Sequence, residues 1–158
     1  MRFTGYFMLL VLTVVLANCD SNSDSDSNSD SETNTITIAD FVGSWTASSV
    51  VFTNNVNSSE SIDLIAIGGE TRMTVLTGGG VRTWVDVGDF SDEWDATLSV
   101  SGNTVTFTPV ESSRPVVRFT FTMNGNTLTL TNTSSEFDFT LSGAAEVAAT
   151  QVIVLERQ

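Results

Sequence analysis

Five carboxylates fall within ten residues, at Asp86, Asp89, Asp92, Glu93 and Asp95. Oxygens gathered this closely are what calcium takes as ligands. Two carboxylates facing each other across a cleft can also work as a general acid and base. The plainer reading is a solvated acidic loop joining two strands, so no bound metal is expected. The rest of the chain removes most other chemistry. It has no His, its basic residues are all Arg, and its one thiol is Cys19. Imidazole bases, His metal ligands, Ser–His–Asp hydrolysis and Schiff-base lysines are therefore excluded. Gly78-Gly79-Gly80 lacks the helix and Lys that a phosphate cradle needs, and reads as a turn. The chain is not expected to be an enzyme or to carry a cofactor.

Charge narrows the partners. There are 19 acidic residues against 6 basic ones, a net charge of -13. Nucleic acid needs a basic face, so none is expected as a partner. An anionic membrane surface would repel the chain, and the excess charge serves solubility.

Cys19 stands on a seam. Before it, residues 6–17 form an apolar run of about twelve residues. A bilayer takes about 20 residues to span, so the run has the length of a signal-peptide core. After it comes DSNSDSDSNSDSETNT, residues 20–35, which has nothing to bury and repels itself. Asp24 and Asp26 carry an Asp-x-Asp spacing, but the Gly turn and closing Glu of a calcium loop are missing. The tract reads as a disordered tether. The expected organisation is a signal peptide over 1–18, a linker over 19–39 and a folded domain over 40–158.

From Ile36 onward Val, Thr, Phe and Leu dominate, with Gly and Asn punctuation. Trp94, Ala96, Leu98 and Val100 alternate with Asp95, Thr97 and Ser99, the pattern of a half-buried strand. SGNTVTFTP at 101–109 echoes NGNTLTLTN at 124–132, and Asn124-Gly125 suits a two-residue hairpin turn. Strands are expected near 43–53, 69–77, 80–87, 93–101, 103–109, 116–123, 126–132 and 150–157. Residues 61–66 read as a short helical turn, and Phe137-Asp138-Phe139 as a ninth short strand or a plug. Eight strands in a run with short turns favour an antiparallel up-and-down barrel or a sandwich. Such a barrel is filled by its own side chains or holds one small ligand. The inward set is Trp94, Leu98, Val105, Phe107, Phe119, Phe121, Met123, Leu128 and Leu130. Within it, Trp94, Leu98, Phe107, Phe119, Phe121, Met123 and Leu128 are the candidate ligand-lining residues.

Two resemblances add to this reading. Leu16-Ala17-Asn18-Cys19 resembles a bacterial lipoprotein lipobox, with Asn18 where Gly, Ala or Ser is usual. It implies that Cys19 is lipidated, with acyl chains such as palmitate holding the protein to a membrane of the cell envelope, inner or outer. Secretion with a free thiol is the alternative. Phe41-Val42-Gly43-Ser44-Trp45, Asp63-Leu64-Ile65-Ala66 with Gly68-Gly69, the two Gly-Asn-Thr hairpins and the final Val154-Leu155-Glu156-Arg157 resemble bacterial lipocalin-like lipoproteins. That resemblance implies an eight-stranded all-β barrel closed at one end by Gly43, Trp45 and Arg157, with the Arg packed on the Trp. It further implies a small hydrophobic ligand in the barrel. The alternative is a structural or protein-interaction module of the envelope with a filled barrel.

Overall fold

The computed structural model describes residues 35–158 apart from Ala144. The stretches read as signal peptide and tether, as far as residue 34, lie outside the described residues, and so does Cys19. Asn34–Gln158 forms one compact unit. It begins with a one-turn helix, α1 (Ile38–Phe41), followed by β1 (Gly43–Asn54), β2 (Ser61–Asp63), β3 (Glu70–Val75), β4 (Gly80–Val87), β5 (Phe90–Ser101), β6 (Thr104–Pro109), β7 (Val117–Asn124), β8 (Thr127–Phe137) and β9 (Val147–Arg157).

Every pairing is antiparallel between sequence neighbours from β3 to β9, and β1 pairs with both β3 and β9. The sheet therefore closes into an eight-stranded up-and-down barrel of the lipocalin-like kind. Closure removes the free edges that would otherwise template aggregation. Alternation puts one face of each strand inside. On β5, Ala96 and Leu98 are buried while Asp95, Thr97 and Ser99 are exposed. Thr fills the outward positions of β6 to β8 because it keeps strand propensity without adding apolar surface.

The structure departs from the expected elements in four places. Residues 61–66 do not form a helical turn throughout. Ser61–Asp63 is a strand on the upper half of β1, and the turn covers residues 64–68. Its anchor is the Asp63 carboxylate, which accepts from the N–H of Val50 at 3.1 Å, the N–H of Ile65 at 2.9 Å and the hydroxyl of Ser49 at 2.9 Å. β8 does not stop at 132 but runs to Phe137 across a register shift between Asn132 and Ser135. Its polar TNTSSE stretch hides the strand because the extra residues interrupt alternation. Phe137 thus ends β8 and is not a ninth strand of its own. It stacks on Phe52, ring centroids 4.1 Å apart, with Phe139 edge-on at 5.1 Å. Finally, Ile36 and Ile38, inside the stretch read as linker, pack on the core. The folded unit takes in these residues because a barrel end without a cover would leave Phe41 and its neighbours in water.

Candidate functional site

The barrel has a closed end and a mouth. At the closed end α1 lies across the opening, with Phe41 fully buried and edge-on to Phe121 at 5.0 Å. Trp45 is buried, and its indole N–H donates to the Phe41 carbonyl at 2.8 Å. The Arg157 guanidinium lies 4.4 Å from the Trp45 ring centroid, as a cation over a π face. It also donates to the carbonyls of Val42, at 2.7 Å, and Asp40. Gly43 has φ +137°, and a side chain there would meet Arg157 Nη1 at 3.5 Å. Glycine is required by the backbone, and Arg157 occupies the space above it. The Thr37 N–H and hydroxyl both bond the Asp40 carboxylate, which holds its pKa below the usual carboxylate range.

Inside, a cavity of about 70 Å³ is lined by Thr71, Met73, Thr83, Trp94, Phe107, Phe119, Leu130, Ile153 and Leu155. Three of the seven candidate lining residues, Trp94, Phe107 and Phe119, face it. The other four do not. Leu98, Phe121 and Leu128 are buried, and Met123 packs against the same core. Phe121 is taken by Phe41, a contact no strand pattern reveals. In their place Thr71, Met73, Thr83, Leu130, Ile153 and Leu155 line the space, contributed by β3, β4, β8 and β9. A cavity of about 150 Å³ is what holds a benzene-sized guest, so this one is too small for a lipid or a quinone.

The mouth is larger. A concave opening of about 720 Å³ is lined by Leu64, Ile67, Val85, Val87, Gly88, Asp89, Phe90, Phe137, Asp138, Leu141, Gly143 and Glu146. Three connections build it: the turn after β2, the β4–β5 hairpin and the β8–β9 loop. Ile67, Phe90 and Leu141 are 53%, 59% and 54% exposed. Thr83 lines the inner cavity while Val85 and Val87, one and two rungs further along the same face of β4, line the mouth. The two spaces follow one another along the barrel interior.

Sequence reasoning missed the mouth. One signal was present: Ile67, Phe90 and Leu141 each sit within two residues of a glycine with positive φ, at Gly68, Gly88 and Gly143. A large apolar side chain at a glycine-marked turn has no core to enter.

The five carboxylates of 86–95 do not gather into a metal site. Asp92 accepts from both terminal nitrogens of Arg114, each at 2.7 Å, and Arg114 Nε reaches Glu111 at 3.0 Å. Asp95 and Glu93 lie on the outer face of β5, 3.0 and 3.3 Å from Arg82 Nε. Asp86 and Asp89 are elsewhere on the hairpin. Among the described residues no group of three His, Cys, Asp or Glu side chains is placed to hold a metal. Bonds from Arg114 lower the pKa of Asp92, and bonds from Arg82 lower that of Asp95. Alternation explains the failure: successive carboxylates on a strand point to opposite faces, and each face finds a different Arg.

A second groove, also about 720 Å³, opens in the barrel wall between β7 and β8. The two strands pair only from Thr120↔Thr131 to Asn124↔Thr127, because β8 bends away at its register shift. Its lining mixes Thr, Ser and Asn side chains with Val116, Val117 and Phe119, and includes Arg118, Glu136 and Glu146.

No protein-family model, no curated protein and no solved structure matches this chain. Among the described residues no helix is long and apolar enough to cross a membrane.

Proposed function

We propose that this protein is a non-enzymatic binding module, held to an envelope membrane by lipid on Cys19, that takes a small hydrophobic ligand at the barrel mouth. The observation that carries the reading is the mouth itself. It is a concavity of about 720 Å³ whose rim keeps Ile67, Phe90 and Leu141 more than half exposed. Small-molecule sites run from about 300 to 1,000 Å³ and are mostly apolar. Exposed apolar side chains arranged around a hollow mark such sites or protein contacts. The inner cavity serves at most the tip of a chain. Burying about 300 Å² of ligand at roughly 25 cal/mol per Å² gives about 7 kcal/mol before immobilisation costs, so affinities are micromolar or weaker.

Isothermal titration of the barrel domain with 1-decanol tests this. Saturable binding is expected, weakened at least about tenfold by the double change Ile67→Ser and Phe90→Ser. The small size of the inner cavity, about 70 Å³, favours the second reading, an envelope interaction module. That reading becomes the better one if no heat is seen with decanol, quinones or small aromatics. Anchoring is tested separately. Cys19→Ser should shift the protein from the membrane to the soluble fraction, or leave an unprocessed precursor. A mutant that is cleaved and sediments like the wild type removes the lipid from the account.

A further inference from the structure

We infer that the mouth selects cationic amphiphiles, ligands with an apolar tail and a positively charged head, over fatty acids of the same length. The inference rests on the mouth being the ligand site and names the charge of what enters it. Asp89, Asp138 and Glu146 are part of its lining, and among the described residues no Arg is. The cations are engaged or placed elsewhere. Arg72 pairs with Glu70 and lies over Trp84, Arg82 with Glu93 and Asp95, and Arg114 with Asp92 and Glu111. Arg157 covers Trp45 at the closed end. Arg118 lines the neighbouring wall groove with Glu146 and forms no ion pair among the described residues. Arg2 lies outside the described residues.

The three carboxylates differ in what they can do. Asp138 organises its own loop, accepting from the N–H groups of Thr140, Ser142 and Gly143 and the Thr140 hydroxyl. It contributes charge to the rim without being available for close pairing. Asp89 and Glu146 have no ion-pair partner among the described residues. The aromatic rings of Phe90 and Phe137 line the same hollow. Phe137 has one face stacked on Phe52, so the more than half exposed Phe90 ring is the one open to a cation. Carboxylates and an open aromatic ring lining one hollow are the chemistry that recognises an alkylammonium, through charge and through cation–π contact. The apolar floor of Leu64, Val85 and Val87 takes the tail. A carboxylate head would meet like charge from the β4–β5 hairpin and from the β8–β9 loop, in a chain whose net charge is -13.

The test compares decyltrimethylammonium, 1-decanol and decanoate by isothermal titration with residues 34–158, the unit within which the barrel closes. At pH 7 and low salt the ammonium is expected to bind at least about tenfold more tightly than decanol, and decanoate at least about tenfold more weakly. Salt at about 0.5 M should narrow both gaps, because the charges stand at the surface. Asp89→Asn with Glu146→Gln should bring the ammonium close to decanol. Glu156→Gln, a charge removed far from the mouth, should leave the ratio as it is. The inference is overturned if decanoate matches the ammonium, or if the Asp89 and Glu146 changes act no differently from Glu156→Gln. If decanol binds and the ammonium has no advantage, the charge selectivity alone falls. If none of the three binds, the carrier reading falls with it.

Discussion

At the closed end Phe41 and Trp45 are 0% and 1% exposed, and the indole and guanidinium groups there have backbone carbonyls as partners. At the mouth Ile67, Phe90 and Leu141 stand more than half in water, and Leu141 holds a φ of +53°, which is uncommon outside glycine. The two ends are made from the same alternating strands. The difference lies in what crosses each opening. One end has a helical turn that brings apolar side chains down onto the core. The other has three separate connections that leave Ile67, Phe90 and Leu141 at the rim. Stability is concentrated where burial and pairing are complete. The side chains free to meet a ligand are those that contribute little to folding.

The largest effect should therefore come from the closed end. Trp45→Ala is expected to remove about 3–5 kcal/mol in urea unfolding, the usual loss for an emptied large aromatic site. A loss below about 1 kcal/mol would mean that the closed end is not where the barrel is held. Asp63, at the edge of the mouth, should come next. Burial raises its pKa, but the N–H groups of Val50, Ile65 and Ala66 and the Ser49 hydroxyl outweigh this and hold it below the usual carboxylate range. A carboxyl whose pKa falls on folding contributes stability above its unfolded pKa and loses it as pH drops through the folded one. Asp63→Asn should remove about 1–2 kcal/mol at pH 7. It should also make the fall in stability below about pH 5 less steep. An unchanged acid limb of the stability profile would show that the 64–68 turn does not depend on this carboxylate. The smallest effect belongs to the rim. Ile67→Ser and Phe90→Ser should each change stability by less than about 0.5 kcal/mol while weakening ligand binding. If either costs as much as Asp63→Asn, the rim is part of the core, and the contrast between the ends disappears.

Alternation, hairpin turns and the Gly43-x-Trp45 opening were enough to read eight strands and their order from the sequence, because strand parity is a local property. Arg157 could be placed over Trp45 only through resemblance. The contact itself depends on β9 closing against β1, between residues more than a hundred positions apart. The register shift at Ala47/Ser49 turns Val50 and Phe52 inward, against the parity of Trp45 and Ala47, and no local pattern announces it. The same limit explains the ligand-lining set. Inward parity selected Leu98, Phe121 and Leu128 correctly as interior, but depth along the barrel decides whether an interior residue meets a cavity or the closing helix. The mouth is the extreme case. It joins residues near 64–67, 87–90 and 137–146, and nothing in any one of these segments points to the other two. Composition had already excluded His and Lys chemistry and set the sign of the charge. Where that charge stands unpaired was decided by tertiary structure, which brings Arg82 and Arg114 to the carboxylates of β5 and, among the described residues, brings no Arg into ion-pair range of Asp89 or Glu146.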